Sequence, residues 1–503
     1  MPALPFLKTR DIQRLRGLAE KRIFSLNTQL EDSTGSYVLY WMQMTQRIKY
    51  NFALQYAMEQ ANKHRVPLVV YHALNEDYPY ASDRIHTFIL QGVKELYHSF
   101  QHLGINYGFY LVHGKKKPAL NQLMKKAVCI VSDDYPTFVT KSFNERVAAS
   151  CPVHYVVVDS CTVVPMRFFT KQEWSAASIR PQIKKVLAEA LEEVVHPILL
   201  KKTSLEYPDY FLPPDFSVER EVADLSIDHA IKPVSTVGGE TAAQEQLAHF
   251  IKHDLDTYDH TKNDPSVRRT SKLSAYLHFG MISPIDVALQ VLRAKKLSPD
   301  SFLRSLITPD AVTAFLEELI VRRDLAYNYA HFNKNHTVFK GVPSWGKKTL
   351  REHLKDTRPF CYTYEQLAQG LTHDPLWNTA QLEMVYGGHM HGYMRMYWCK
   401  KLLEWTKKPE EAFAIAVRLN DTYQLDGRDP NGYTGIAWSL GGLHDRPWFT
   451  KPIYGNIRMF SATSLYKKFD VQKYISYVRD TVIGPKVAST KPDTNSKMPS
   501  THQ

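Results

Sequence analysis

Five of the eight tryptophans fall between Trp377 and Trp448, threaded through His-Gly-Tyr-Met-Arg-Met-Tyr-Trp (391–398) and Leu-Asp-Gly-Arg-Asp-Pro-Asn-Gly (425–432). Indole is large, flat and, after a thiolate, the side chain most easily oxidised. Its concentration here fits either a thick core or a site that moves electrons and stacks on aromatic ligands. Over 389–406, Met390, Tyr393, Met394, Met396, Tyr397, Trp398, Leu402, Leu403 and Trp405 cover most of a helical circumference, which predicts a largely buried helix. Trp398 and Trp405 are two turns apart and share a face. Gly392 leaves a gap where something flat could approach the backbone. Arg395 lies inside this apolar run, and a buried guanidinium requires an acidic partner; Asp426 and Asp429 in the following loop are the candidates.

A second cluster precedes an apolar segment: Arg268-Arg-Thr-Ser-Lys-Leu-Ser-Ala-Tyr-Leu-His-Phe-Gly280. The hydroxyls and amides of Thr270, Ser271 and Ser274 suit a helix N-terminus holding a phosphate or diphosphate, with the arginine pair alongside. A helix cap with no ligand fits the same residues. Other patterns carry less. Asp426–Gly432 lacks the alternating acids and terminal Glu of a calcium loop. Gly341-x-x-x-x-Gly346-Lys347 has Lys348 where a P-loop needs Ser or Thr, and no apolar strand precedes it. His389-x-His391 and the His253, Asp254, His260 group lack a zinc spacing with further ligands nearby, so no metal site is predicted.

The elements that must position these residues divide the chain in two. At 503 residues, two or three domains are expected. From 36 to 160, Tyr37–Trp41, Val66–Tyr71, Tyr107–Val112, Val128–Val131 and Val153–Val158 read as strands, with helical patterns such as Arg47–His64 and Arg84–Leu103 between them. That alternation predicts a parallel sheet covered by helices on both faces. The absence of Gly-x-Gly-x-x-Gly argues against a nicotinamide-type site there. Residues 1–35 read as an N-terminal extension. Residues 161–239, interrupted by Pro208, Pro213, Pro214 and Pro233, read as a connector draped between domains. From 240 to 484 the period is helical: Glu240–Leu255, Pro284–Ala294, Ala311–Tyr329, Tyr364–Gln369, Pro375–Val385, His389–Thr406 and Pro409–Leu419. Residues 485–503 read as a disordered tail.

The net charge of +12 is spread over basic doublets and triplets from Lys115–Lys117 to Lys467–Lys468. A basic face for nucleic acid fits this, and so does a merely basic solvated surface. Five cysteines without a Cys-x-x-Cys pair suggest reduced thiols inside the cell. No apolar run approaches the roughly 20 residues of a membrane span. A soluble intracellular monomer is expected, with nucleus or cytoplasm left open.

Five stretches in order resemble the class II cyclobutane pyrimidine dimer photolyases: Thr-Ser-Lys-Leu-Ser-Ala-Tyr-Leu-His-Phe-Gly (270–280), Phe-Leu-Glu-Glu-Leu-Ile-Val-Arg-Arg (315–323), Asp-Pro-Leu-Trp-Asn (374–378), Met-His-Gly-Tyr-Met-Arg-Met-Tyr-Trp (390–398) and Leu-Asp-Gly-Arg-Asp-Pro-Asn-Gly-Tyr (425–433). The resemblance is strong from about 240 to 480 and looser from 36 to 160. It implies the photolyase/cryptochrome fold: an α/β, Rossmann-like parallel-sheet antenna domain followed by an all-α domain holding U-shaped FAD.

By that similarity Tyr258, Thr270, Ser271, Lys272, Leu273 and Ser274 would hold the FAD diphosphate, Arg395 and Asp426 would pair beside the isoalloxazine with Asp429 near by, and Asn420 would face flavin N5. Trp377, Trp398 and Trp405 would form the relay that photoreduces the flavin. Glu318 would bond the dimer's Watson–Crick edge, Met396, Trp438 and Trp448 would wall the pocket of the flipped dimer, and Arg446 and Arg458 would enter the bubble left in single- or double-stranded UV-damaged DNA. The implied reaction is dimer splitting by electron transfer from photoexcited FADH⁻. An antenna pigment, 8-hydroxydeazaflavin or folate, is implied without a signature for either. His389, Cys399 and Ser439-Leu-Gly-Gly442 depart from the family pattern where lysine, alanine and Ser-Ile-Cys-Gly are expected. A cryptochrome-like photoreceptor without repair activity is the alternative; such proteins usually lose pocket residues that this chain keeps. A light-independent DNA-binding adaptor would leave the tryptophan relay unexplained.

Overall fold

The computed structural model describes residues 17–202, 205–299 and 310–484. The disordered tail expected at 485–503 lies outside them, as do residues 1–16 of the expected N-terminal extension. Six strands form one sheet in the order β1-β6-β5-β2-β3-β4: β1 Ile23–Ser25, β2 Tyr37–Met42, β3 Leu68–Asn75, β4 Asn106–Val112, β5 Ala127–Asp133 and β6 His154–Val158. All pairings are parallel except β1 with β6, where Phe24 opposes Val157. Residues 23–25 were expected in the extension; they instead add an antiparallel edge strand. The run is too short and too exposed to carry an alternating pattern. Every residue of β2 and β5 is buried, as a sheet covered on both faces requires. Helices α1 (Phe52–His64) and α2 (Asp83–Leu103) connect the parallel strands, and α3 (Phe138–Ser150) follows β5.

The segment expected as a connector contains a helix, α4 (Ala176–Ala190), and a short one at Val218–Ala223. Ser175 and Ser178 form a reciprocal cap, and Ile179, Ile183 and Leu187 make a buried stripe at four-residue spacing. The proline breakers at 208–233 lie beyond it, and Pro181 does not interrupt it.

The helical half begins with α5 (Glu240–His253), α6 (Ser274–His278) and α7 (Pro284–Ala294). The single long helix expected over Ala311–Tyr329 is three pieces: α8 (Ala311–Leu316), a π-helical turn Glu317–Arg322, and α9 (Arg323–Phe332). Such turns insert one extra residue and recur at functional sites. Then follow α10 (Pro375–Gly387), α11 (Gly392–Trp405), α12 (Pro409–Tyr423) and α13 (Pro430–Gly441). Among the described residues, no helix is long and apolar enough to cross a membrane.

One hydrophobic cluster runs from the sheet face (Val38, Val70, Val131) into the helical half (Leu247, Tyr258, Phe315, Tyr327). Buried arginines stitch the same seam. Arg47 donates to the carbonyls of Gly280 (2.9 Å) and Ser160 (2.7 Å). Arg84 donates to those of Val385 (2.6 Å), Met384 (3.3 Å) and Tyr423. Gly280 has φ +65°, and a Cβ there would run into the Met44 carbonyl of the sheet half. Gly280→Ala is therefore expected to destabilise the protein by about 1–3 kcal/mol. Thermal unfolding of the two proteins side by side checks it, and equal midpoints would show that this contact gives way freely.

Candidate functional site

Two neighbouring clefts share the 268–274 loop. The first, about 190 Å³, is lined by Tyr258, Ser271, Leu273, Ser274, Leu277, Phe315, Glu318 and Leu319 from one side, and by Arg395, Asp426, Asp429 and Gly432 from the other. The second, about 320 Å³, is lined by Gln246, His249, Asp254, Arg268, Arg269, Thr270 and Lys272. The first combines apolar side chains with the Arg395–Asp426 and His278–Asp429 pairs; the second is strongly basic. Lys272 holds φ +54° and Arg428 φ +64°, so both loops bordering the clefts carry backbone conformations that cost energy and cluster at functional sites.

Arg395 projects from α11, and its Nη2 lies 2.9 and 2.8 Å from the two Asp426 oxygens. Its Nε donates to the Met390 carbonyl at 3.0 Å. Burial would raise the Asp426 carboxyl, but the Arg395 charge and hydrogen bonds hold it below the usual range. His389 and His391 are pushed down to about 3 and about 4, mainly by burial, so both imidazoles are neutral here. Burial also lifts Glu383, on α10, to about 7, although it accepts from the Tyr474 hydroxyl at 2.7 Å and the His391 amide at 3.4 Å. The Arg395–Asp426 pair thus stays charged beside two uncharged imidazoles and a carboxyl lifted close to neutral pH.

Behind the pair stand the indoles. Trp398 lies one turn beyond Arg395 on α11. Its ring stacks on Trp377 of α10 at 6.1 Å and 8°, and Trp377 meets Trp405 edge-on at 5.2 Å. All three are buried. The Trp377 N–H donates to the Trp398 carbonyl (3.0 Å) and the Trp398 N–H to Gln381 (2.9 Å), which locks the rings in place. Spatial order is therefore Trp398–Trp377–Trp405, although Trp377 comes first in sequence. Beyond Trp405 lie Tyr362 at 5.3 Å and His373 at 5.6 Å, bonded to each other at 2.6 Å.

A basic aromatic surface continues from α13. Trp438 meets Phe460 at 6.5 Å, the Arg458 guanidinium sits 4.7 Å from the Trp448 ring centre, and that of Arg446 sits 5.5 Å from it. Beneath Trp438 lies Lys400, 1 % exposed, which donates to the Ser439 carbonyl at 2.8 Å with its ammonium 4.9 Å from the Trp438 ring centre.

Of the residues expected around one cofactor, the cleft lining brings together Tyr258, Ser271, Leu273, Ser274, Arg395, Asp426 and Asp429, joined by Glu318 from the expected substrate side. Glu318 stands on the π-helical turn and pairs with Lys262 at 3.0 Å. Thr270 and Lys272 line the basic neighbour. Asn420 lines neither: its amide donates to Asp421 at 2.9 Å and sits behind Gly432, where a Cβ would come 3.1 Å from its nitrogen. Met396, Trp438 and Trp448 are also outside the lining of the 190 Å³ cleft. Asp429, one of two candidates for Arg395, turns elsewhere. It caps α13 and accepts from Tyr135 (3.0 Å), His278 (3.3 Å) and Tyr327 (3.4 Å). Against the upward push of burial, the hydrogen bond and charge of His278 hold its carboxyl at about 2.

A separate cavity of about 370 Å³ opens at the carboxyl ends of β2, β3 and β4, lined by Trp41, Tyr71, Tyr78, Phe138, Phe143 and Arg146 with Lys116 and Lys117. This is beside the topological switch point between β2 and β5, where open α/β sheets hold ligands. His278 lines both this cavity and the cleft of the ion pair. The Tyr135–His278–Asp429 group is therefore their common wall. Among the described residues, no cluster of three or more His, Cys, Asp or Glu could hold a metal.

Comparison with known proteins agrees with this architecture. The DNA photolyase family model matches residues 38–199. The chain is 36% identical over 462 residues to the deoxyribodipyrimidine photo-lyase of Methanothermobacter thermautotrophicus, covering 91% of this chain and 98% of that one. It is 38% identical to those of Arabidopsis thaliana (90% of each chain) and Potorous tridactylus (90% and 83%). Among solved structures, a class III photolyase from Agrobacterium tumefaciens matches with a TM-score of 0.63 at 17% identity, covering 90% of this chain and 91% of that one. A Synechocystis cryptochrome matches with a TM-score of 0.61 at 16% identity over 88% of each; these two likenesses speak to the fold. The chain belongs to the DNA photolyase family.

The buried Lys400 yields a pH prediction. Burial brings it down to about 7, partly offset by the Asp445 charge. The unfolded chain therefore binds more protons between about pH 7 and about pH 10.4, and stability rises with pH across that window. Lys400→Met should flatten this rise, as followed by unfolding midpoints from pH 7 to 10. Parallel curves for the two proteins would place the charge in contact with water.

Proposed function

We propose that this chain is a light-dependent DNA repair lyase of the class II type, which binds cyclobutane pyrimidine dimers, takes the dimer out of the helix and splits it by electron transfer. The observation that carries the reading is the line of three locked indoles that begins one helical turn from the Arg395–Asp426 pair. The relatives named deoxyribodipyrimidine photo-lyase, matched over nearly their whole length, support the same chemistry.

FAD is the cofactor the two clefts fit. Its flat ring matches the apolar lining beside the Arg395–Asp426 pair, and its diphosphate matches the basic loop. Ser271, Lys272 and Ser274 would hold the diphosphate with Tyr258 beside them, and Arg395 and Asp426 would border the ring. Gly432 keeps the wall thin enough for Asn420 to act from behind it. When bound and reduced, this cofactor supplies on illumination the electron that opens the cyclobutane ring, and the electron returns after the two bonds break. Trp398, Trp377 and Trp405 carry oxidising equivalents outward, each indole being refilled by the next.

Glu318, at the cleft rim, would hydrogen-bond the dimer's pairing edge. Trp438, Trp448 and Met396 would border the flipped dimer, whose extrusion costs a few kcal/mol and least for distorted pairing. Arg446 and Arg458, over the Trp448 ring, give the cation-and-aromatic surface that unpaired DNA requires. The 370 Å³ cavity at the strand ends is the place for an antenna pigment of the deazaflavin or folate kind.

Trp398→Phe should slow blue-light reduction of the bound flavin at least tenfold, read from absorbance under a thiol donor; reduction at the parent's rate would rule out the relay. Glu318→Ala is expected to lower dimer-splitting yield per photon while the flavin content stays at the parent's level, and an unaltered yield would remove Glu318 from the reaction. Binding to dimer-containing duplex should weaken with log[salt] by about 0.9 per phosphate neutralised. Arg446→Ala should flatten that slope by about one phosphate, whereas an identical slope would take Arg446 off the DNA backbone.

A further inference from the structure

The geometry points to a base-stacking position that the DNA-repair reading above does not include: Trp174, taking the exposed face of an unpaired nucleobase beside the extruded lesion. All eight tryptophans lie in the described residues, and Trp174 alone is exposed, at 72%. An indole left in water forfeits the burial that usually justifies it. Its backbone is nonetheless fixed. The preceding residue, Glu173, is buried and donates its amide to Asn328 at 2.7 Å, Asn328 donates to the Lys171 carbonyl at 3.2 Å, and the Trp174 amide donates to Ser178 at 3.1 Å. A rigid platform with a wet aromatic face is the arrangement of a stacking residue.

Two latches tie this platform to the walls of the proposed lesion pocket. The Trp174 carbonyl accepts from His444 Nδ1 at 2.8 Å. His444 sits at φ +61° where the chain leaves α13, two residues before Arg446, so their Cα atoms are within about 8 Å. Its ring faces Tyr329 edge-on at 6.1 Å. Burial holds its imidazole down to about 4, so at neutral pH it is uncharged and the N–H it donates is the one on Nδ1. On the other side, Arg180 of α4 pairs with Glu317 at 2.6 Å, next to Glu318 on the π-helical turn, and Arg322 lies 3.4 Å from the same carboxylate. The segment from Trp174 to Arg180 is therefore tied both to the turn bearing Glu318 and to the loop bearing Arg446 and Trp448. Lys171, three residues before it, is exposed, as are Arg446 and Arg458 on the His444 side, and Phe449, 89% exposed, belongs to the same loop as Arg446. Positive charge with projecting aromatic faces fits nucleic acid and not an apolar protein partner.

The inference rests on the repair reading, and its test separates the two. Affinity for an oligonucleotide carrying one cyclobutane dimer is measured for the parent, Trp174→Ala, Trp174→Phe and Arg446→Ala across a salt series. Trp174→Ala should weaken binding by about five- to a hundredfold, the range of one lost stack, with the salt slope unchanged. Trp174→Phe should recover most of the loss, and flavin content should match the parent in both. In the parent, the fluorescence that Trp174→Phe removes should be quenched by iodide and shielded once the oligonucleotide is added. Binding of Trp174→Ala within twofold of the parent, a Phe variant as weak as the Ala one, or fluorescence that DNA leaves open to iodide would each overturn the role of Trp174. A parent that does not prefer damaged DNA would overturn the repair reading as well.

Discussion

The Arg395–Asp426 pair is the constraint around which the helical half is arranged. A guanidinium inside an apolar helix is tolerable only when its charge and its N–H groups are met, and a buried pair breaks expensively if one partner leaves. Asp426 can meet it only from a fixed loop. That loop is fixed by the Leu425 amide donating to the Gly388 carbonyl (2.9 Å) and by Arg428, whose backbone amide donates to Asp421 (2.8 Å) while its guanidinium reaches the Gln424 and Leu425 carbonyls. Gly427 allows the turn, since any side chain there would press on the Asn420 carbonyl. His389 belongs to the same economy. A neutral imidazole at this position avoids a second buried cation beside Arg395.

The pair also explains why the two halves meet as they do. The loop that ends in Asp429 closes the cleft on one side and bonds Tyr135, from the end of β5, on the other. His278 shares that carboxylate and faces both cavities. A single acidic residue, held ionised by its neighbours, therefore fixes the distance between the cleft and the cavity at the strand ends.

Much of this was legible in the residues. The five parallel strands stand out because a sheet buried on both faces reads as unbroken Val, Ile, Leu and Tyr, and the helices because their apolar period is regular. The buried arginine and one of its two candidate partners followed from charge balance alone. The stacking order of the indoles did not, because spacing along α11 says nothing of how α10 lies against it. The π-helical turn at Glu317–Arg322 was hidden, since one inserted residue does not disturb an apolar pattern enough to show. Asp429 was misjudged for a similar reason: its partners Tyr135, His278 and Tyr327 are 294, 151 and 102 residues away. Lys400 looks like a surface residue next to Lys401, and only the packing of α13 over it reveals otherwise.

The positions of the charges follow a pattern. On the inner side of α11, ionisable groups are paired or driven towards neutrality: Arg395 with Asp426, Glu383 and the two histidines. On the outer side, Arg446 and Arg458 remain exposed and lean on aromatic rings without carboxylate partners of their own in these contacts. Around the fixed pair the two imidazoles stay uncharged at neutral pH, and Glu383, lifted to about 7, is the neighbour whose charge changes there. Unpaired surface cations keep their full attraction for phosphate, at the cost of repelling one another. Lys400 lies on the boundary, with its amine against the Trp438 ring and its backbone in the helix that carries Trp398 and Trp405. The same helix thus separates a cleft whose charges are paired or buried from a surface whose cations are exposed.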